Sequence, residues 1–464
     1  GVVSQSLTDF SLCFPPSINV RVKEDGDASE SIIPGARHIG DLYETVNGVE
    51  RKKVSFMPAK THLRKNRMFD GLEGVEINKQ PARLSPYYDG DGVRHFPLKN
   101  ALSRWKGRNY ELKEATYDSD EVWEGVFHKN FDASKVRIAT LDEAINGVDG
   151  SKFFKSMDFS KSSSLGFSEY GKTMDELFPL IEPGNPNNPK RKACPEMQEL
   201  LDKRWEEILQ MNFPPYLCVG TLKDELKDAT KINKPRLFAN GSKLNLIEAR
   251  RIFGLFFEQV LAHDGDGDVY VGMNPHSVDW ELLFDKMCMK SIKKMIAADI
   301  EAFDFNMRMQ IFVKEFEKRA LKAGIDVFHV KLMVGILITT LSPIFVIGHQ
   351  LFQILGMSSG SFLTAIMNSI YNSWSTRVCF VKRREDLGLE RDLFLFSEVC
   401  ALAVFGDDIL NSVSDKLDAD IWNGKVMAKY RKELFATNTT PLKKDGSDIE
   451  DFVPLLVDNW DPES

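Results

Sequence analysis

Two adjacent carboxylates, Asp407 and Asp408, stand in the run Val404-Phe405-Gly406-Asp407-Asp408-Ile409-Leu410. Neighbouring carboxylates repel, and they gain nothing from the arrangement unless cations neutralise them. Hard divalent ions such as Mg²⁺ take oxygen ligands of this kind. A Gly-Asp-Asp triplet alone is more often a solvated turn, so the chemistry needs partners elsewhere. The first candidate is Asp299, which closes the apolar run Met295-Ile296-Ala297-Ala298, with Asp304 five positions on. A charge at the end of a buried strand is costly unless it is paired or bound to metal. Carboxylates from two strands can hold two Mg²⁺ ions about 4 Å apart, an arrangement suited to displacement at phosphorus. A pair of capping aspartates is the plainer alternative.

Three further groups could serve such a reaction. Thr364 and Asn368 are four residues apart, so on a helix they point the same way, beside the small-residue loop Gly356-Met357-Ser358-Ser359-Gly360-Ser361. Such a pair suits hydrogen bonding to a sugar hydroxyl. Lys223, Lys227, Lys231, Lys234 and Arg236 form a concentrated positive edge around an Asn233–Pro235 turn. That edge could hold a triphosphate or a nucleic-acid backbone, or be a solvated hairpin. Lys443 and Lys444 follow Thr440-Pro441-Leu442. A lysine there could neutralise or protonate a leaving pyrophosphate.

These residues need elements to position them. The apolar run from Ala401 to Phe405, stopped at Gly-Asp-Asp and resumed at Ile409, predicts strand, tight turn, strand. If the strand ending at Asp299 lies beside this hairpin, Asp299 and Asp407 meet at one edge of a sheet. Leu363, Ile366, Met367, Ile370, Trp374 and Val378 recur at helical spacing and predict a core-facing stripe. Leu332 to Ile347 reads as a helix end and then a strand, and Pro195 to Met211 as a helix. Asn274-Pro275-His276 reads as the capped start of a helix around Trp280. Charged and aromatic residues from Leu98 to Trp123 follow roughly helical spacing. Asp89 to Gly92 is a turn, and Glu182 to Pro189 a long exposed connection. Lys161 to Phe167 is expected to be a flexible loop. His263-Asp264-Gly265-Asp266-Gly267-Asp268 departs from the calcium-loop pattern at Val269 and Pro275, and is expected to be a plain loop. Residues 1–50 are expected to carry little regular structure, and residues 51–70 are basic.

The chain has 464 residues, 43% of them hydrophobic and 28% charged, enough for a large core and two or three domains. Its net charge of −8 means that any nucleic-acid binding must use local basic patches. Six scattered cysteines without a CxxC pair argue against a zinc site or a disulfide framework, and for a reducing compartment. No secretory signal or membrane span is expected. The start at Gly1 fits release from a precursor.

Taken together, Asp299-x4-Asp304, Ser359-Gly360-x3-Thr364-x3-Asn368 and Gly406-Asp407-Asp408 occur in one order and spacing. The set resembles the palm motifs of viral RNA-dependent RNA polymerases. Lys223 to Lys227 with Lys234-x-Arg236 resembles a fingers motif of the picornavirus-like enzymes, and Thr440-Pro441-x-x-Lys444 a later palm motif. Ser164-Leu165-Gly166 and Pro58-Ala59-Lys60-Thr61 are similar to further finger segments. The chain is similar to the polymerases of picorna-like viruses of insects, of iflavirus or dicistrovirus type.

The resemblance implies an α/β (α+β) right-hand polymerase with fingers and an antiparallel, RRM-like palm sheet, its thumb largely missing. Residues 1–50 would be an N-terminal extension, 51–250 fingers, 251–305 palm, 306–350 a fingers insertion and 351–464 palm again. It implies that Asp299, Asp407 and Asp408 hold Mg²⁺, with Mn²⁺ as a substitute. Asp304, Ser359, Gly360, Thr364 and Asn368 would read the ribose, Lys223, Lys227, Lys234 and Arg236 line the NTP channel, and Lys444 act as general acid. Phe405, where relatives often carry Tyr, would pack. The implied partners are RNA template and primer, NTPs, a protein primer and other viral replication proteins. The implied location is host cytoplasm, at membrane-associated replication complexes. A reverse transcriptase-like polymerase and a non-catalytic RNA-binding fragment are the rival readings.

Overall fold

The computed structural model describes all residues except 1–9, 16, 18–19, 24–35, 54–60, 65–66, 70–78, 104–112, 116, 118–119, 275, 302, 306, 358–361, 443–445 and 454–464. The chain divides into two compact units. One comprises residues 1–107, 158–246 and 339–361; the other comprises residues 108–157, 247–338 and 362–464.

The second unit is built on a four-stranded antiparallel sheet in the order Cys400–Phe405, Asp408–Val413, Met295–Ile300, Thr439–Pro441. Its first two strands form the predicted hairpin, with Phe405 paired to Asp408 across a two-residue turn. Gly406 has φ +57°, and Asp407 is not in the positive-φ region. Glycine at the first of two turn positions is the type II′ pattern, whose twist matches that of the strands it joins. Between the second and third strands, Ala298 lies opposite Ile409. One step further along an antiparallel register, Asp299 draws level with Asp408.

Helix Val278–Lys290 covers one face of this sheet through Leu283 and Met287, packed with Met295, Ala401 and Ala403. Its N-cap is Ser277, whose hydroxyl accepts from the Asp279 N–H, and not the expected Asn274. Asn274 instead receives the His276 N–H in the turn before it. Helix Thr364–Asp386 is buried nearly all round. Its predicted stripe is core: Leu363, Met367, Ile370, Trp374 and Val378 are fully buried. Trp374 stacks on Trp123 at 5.9 Å, with Phe312 and Phe435 at 5.5 and 5.6 Å. Aromatic groups dominate the energetics of cores of this kind. The opposite face of the helix is polar yet also buried, with Asn368, Ser369, Asn372, Ser375 and Thr376 all buried. A helix buried on both faces must satisfy its polar row internally.

The first unit holds a seven-stranded mixed sheet among the described residues. Here the expectation for residues 1–50 fails. Val20–Lys23 and Arg37–Val46 pair with each other, and Arg37–Val46 also pairs with Gln350–Gln353. Ile39 and Leu42 pack with Phe10, Phe14, Leu165, Leu217 and Ile344. Burial along this ten-residue strand does not alternate, since residues 39–42 are all buried, so no period of two marks it in the sequence.

Other expectations fare unevenly. Helix Val327–Leu341 followed by strand Ile344–Ile347 matches the prediction for that stretch, as does helix Pro195–Leu209. Among the described residues of the 98–123 stretch there are two short helices, Pro97–Ser103 and Asp120–Trp123. The Lys161–Phe167 loop is not a free loop: Ser163 and Ser164 are buried, and the Ser164 hydroxyl donates to the Asn240 side chain at 3.2 Å. No helix among the described residues is long and apolar enough to cross a membrane.

Candidate active site

Carboxylate oxygens of Asp299, Asp407 and Asp408 all lie within 4.8 Å of one another. The convergence predicted from the strand ends is therefore present, produced by the register of Met295–Ile300 against the hairpin. Burial, the neighbouring Asp299 carboxylate and then Asp408 hold the Asp407 carboxyl far above the usual range, at about 8. Three acidic groups at such range oppose one another's ionisation, and a divalent cation relieves that opposition. The donor set is all-oxygen, which suits Mg²⁺ or Mn²⁺.

A cavity of about 320 Å³ opens beside Asp407 and is lined by Phe303, Asp304, Thr364, Ala365, Asn368 and Gly406. Its size is within the range of small-molecule sites. The Asn368 amide donates to Asp304 Oδ1. Burial pushes the Asp304 carboxyl up to about 6, against the opposing pull of that hydrogen bond. Asp304 is held in place from behind, because Phe303 packs edge-on against Tyr371 at 5.4 Å and the Tyr371 hydroxyl accepts from the Arg308 N–H at 2.9 Å. Thus Asp304, Thr364 and Asn368 share one pocket with Asp407, as their spacing suggests.

Lys223, Lys227, Lys234 and Arg236 belong to the other unit. Leu217–Leu222 and Leu237–Gly241 form its hairpin stem, and the cations gather on the segment between. Glu225 anchors three of them: Lys227 approaches it at 2.8 Å, Arg236 at 3.4 Å and Lys223 at 3.8 Å. These pairs outweigh the effect of burial and hold the Glu225 carboxyl below its ordinary value. Lys223 and Arg236 remain about half exposed, so their remaining donors face solvent. Lys234 is exposed on the same turn. The neighbouring Asp224 accepts from the Thr61 hydroxyl and the His62 N–H, which fastens the earlier basic segment to this edge. Ser359, Gly360 and Lys444 lie outside the described residues, as do Pro58 to Lys60.

Three features escaped the sequence. Phe405, expected to pack, is 51% exposed at the rim of the turn. Beneath the turn, the Gly406 N–H donates to Ser369 Oγ at 2.8 Å, and the Asn372 amide donates to the Gly406 carbonyl at 2.9 Å. A signal for the latter existed: Thr364, Asn368, Asn372 and Thr376 form one polar row at intervals of four. The supposed plain loop at 263–268 also ends in a buried pair. Asp268 receives Arg377 Nε at 2.8 Å and Nη2 at 3.0 Å, while its backbone carbonyl accepts from Val404 in the turn-bearing strand.

An antiparallel sheet thus brings aspartates from two strands and a turn together beside a polar pocket, an arrangement with the donor set of a divalent-cation site. The profile described as "Viral RNA-dependent RNA polymerase" matches residues 100–456, and the chain belongs to that family. It is 25% identical over 459 residues to the RNA1 polyprotein of broad bean wilt virus 1, covering 97% of this chain and 24% of the polyprotein. It is 24% identical over 418 residues to the replicase polyprotein of acute bee paralysis virus, covering 85% of this chain and 21% of that one. The chain thus spans about a quarter of the length of these curated relatives. Among solved structures, the Sicinivirus 3Dpol RNA-dependent RNA polymerase superposes with a TM-score of 0.66 at 20% identity, over 86% of this chain and 77% of that one. The likeness bears out the fold implied by the palm motifs. The plant and insect relatives match at nearly the same identity, consistent with a picorna-like virus as the source.

Proposed function

We propose that this chain copies viral RNA from NTPs by nucleotidyl transfer at the Asp299–Asp407–Asp408 cluster. The observation that carries the reading is the meeting of these three carboxylates, from separate parts of the chain, beside the Asp304–Asn368 pocket. In the reaction the primer 3′-oxygen forms a bond to the α-phosphorus of the NTP, and the α–β bridging bond breaks to release pyrophosphate. Bound Mg²⁺, or Mn²⁺ in its place, would lower the pKa of the attacking hydroxyl and neutralise charge at phosphorus. Asp299 and Asp407 would hold the ions, with Asp408 in support.

The chain's own groups do the positioning. Asp304, Thr364 and Asn368, with Ser359 and Gly360, hold the ribose and select NTP over dNTP. Lys223, Lys227, Lys234 and Arg236 bind phosphates of the incoming nucleotide, and Lys444 protonates the pyrophosphate as it leaves. Partners follow from the reaction: an RNA template, a primer, which the family makes a protein, and other viral replication proteins. The matching viral polyproteins support a setting in the infected host cell; its place in the cytoplasm, at membrane-associated replication complexes, is proposed from the family resemblance.

The test is nucleotide incorporation on a poly-A template with an oligo-U primer. Wild type should extend the primer when Mg²⁺ is present, and Asp407→Ala should lower the rate at least a hundredfold. Equal extension by the two proteins would overturn the proposal.

A further inference from the structure

Arg431 is 1% exposed, on helix Gly424–Phe435, and no carboxylate pairs with it among the described residues. Its Nε also has no hydrogen-bond partner there. A buried guanidinium without a counter-ion and with an unmet donor is a poor device for stability. What it does have is a fixed set of acceptors on helix Thr364–Asp386. Nη1 donates to Ser375 Oγ at 3.0 Å, and Nη2 donates to Asn372 Oδ1 at 2.7 Å and to Thr376 Oγ1. The Thr376 hydroxyl in turn donates to Asn372 Oδ1 at 3.3 Å.

A guanidinium carries donors and no acceptor, so it can face only the oxygen of an amide. With Oδ1 of Asn372 claimed by Arg431 and Thr376, the NH₂ end must point the other way. There it meets two backbone carbonyls of the metal-site turn, Gly406 at 2.9 Å and Asp408 at 3.4 Å. An amide turned over would set its oxygen against those carbonyls. We infer that Arg431 is a positioning residue: it locks the orientation of the Asn372 amide, and Asn372 thereby holds the Gly406–Asp408 turn in the geometry that binds divalent metal. The inference rests on the proposed function for its kinetic consequence, but not for its metal-binding consequence.

Asn372→Asp separates this role from plain structural support. The carboxylate keeps an acceptor for Arg431 and gains an ion pair, yet has no donor for the turn carbonyls. Asn372→Asp, Asn372→Ala, Arg431→Lys, Arg431→Met and the double variant Asn372→Ala/Arg431→Met are compared with wild type. Thermal melting reports folding, Mn²⁺ binding is read by paramagnetic resonance of the free ion, and kcat and KM come from single-nucleotide incorporation.

Each single variant should bind Mn²⁺ about tenfold more weakly, the loss typical of removing a group that orients metal ligands. Asn372→Asp should do so while melting near the wild-type temperature, because the new ion pair with Arg431 offsets the oxygen set against the turn carbonyls. kcat should fall by a similar factor with KM for the nucleotide within about twofold of wild type. Arg431→Lys should not rescue, because one ammonium cannot span the three side-chain acceptors. The double variant should be no worse than Asn372→Ala alone.

The inference is overturned if Asn372→Asp binds Mn²⁺ as wild type does, if Arg431→Lys restores wild-type binding, or if the losses multiply in the double variant. Should Arg431→Met not fold, the Asn372→Asp and Arg431→Lys results still decide. A wild-type chain that binds Mn²⁺ but incorporates no nucleotide would count against the proposed function alone, and the Mn²⁺ comparison would stand.

Discussion

Asp407 is the residue whose protonation reports the site most directly. Its pKa is raised from 3.8 to about 8, so the folded metal-free protein favours the neutral form. The sign follows from linkage: below pH 3.8 both folded and unfolded forms are protonated and nothing is lost. As pH rises towards 8 the unfolded form sheds its proton first, and the metal-free fold loses stability. Mg²⁺ reverses that loss, so the rise in melting temperature on adding Mg²⁺ should be small at pH 5 and larger, by roughly 2–4 °C, at pH 8.5. Asp407→Asn should remove most of the difference; scanning fluorimetry at the two pH values checks it. At the neighbouring pocket, Asn368→Ala removes the partner of Asp304. One hydrogen bond to a sugar hydroxyl contributes about 1.4 kcal/mol, so discrimination between UTP and dTTP on poly-A should narrow about tenfold. Unchanged discrimination would show that Asn368 does not read the ribose.

At the scale of elements, the hairpin turn and its supports matter most. Gly406 adopts φ +57°, and a Cβ built there meets nothing within 4 Å. Gly406→Ala therefore introduces no clash, and its cost is conformational, about 1–3 kcal/mol for an L-residue held in this sparsely populated backbone region. A fall of that size in chemical-denaturation stability is expected, and a loss above about 4 kcal/mol would point to a contact missing from this account. Behind the turn-bearing strand, Asp268 and Arg377 are 2% and 5% exposed. Removing one member of such a pair strands the other charge, which costs about 3–5 kcal/mol. Asp268→Ala should destabilise by that amount, and Asp268→Ala/Arg377→Ala by less than the sum of the two single changes, as measured by urea unfolding.

For the whole molecule, net charge and local charge oppose each other. The chain carries −8 overall, yet Lys223, Lys227 and Arg236 collect on one segment around Glu225. RNA binding should accordingly be salt-sensitive in spite of the acidic total. Replacing both Lys223 and Arg236 by Ala should reduce the slope of log affinity against log salt by about 1.4 for single-stranded RNA. Fluorescence anisotropy with a short oligonucleotide measures it, and an unaltered slope would place the phosphate contacts elsewhere.

The carboxylate site was legible because its parts are short and local. An apolar run stopped by Gly-Asp-Asp dictates a hairpin, and an apolar run closed by Asp299 dictates a strand end. The four-residue interval dictates that Thr364 and Asn368 share a helix face. Tertiary structure alone decided which buried polar group satisfies which. Arg431 reaches Asn372 across 59 positions, and Arg377 reaches Asp268 across 109. Nothing local distinguishes such residues from solvated ones, because burial comes from elements far away in the chain. The strand at Arg37–Val46 is a mixed case: one edge pairs with Gln350–Gln353, some three hundred residues further on, yet it also pairs with Val20–Lys23 and, across an Asn47-Gly48 turn, with Val49–Lys52, so a local hairpin signal existed there. Pattern specifies what an element must be. Its partners, and so the pKa of Asp407 and the grip on the turn, arise only when distant elements exclude water together.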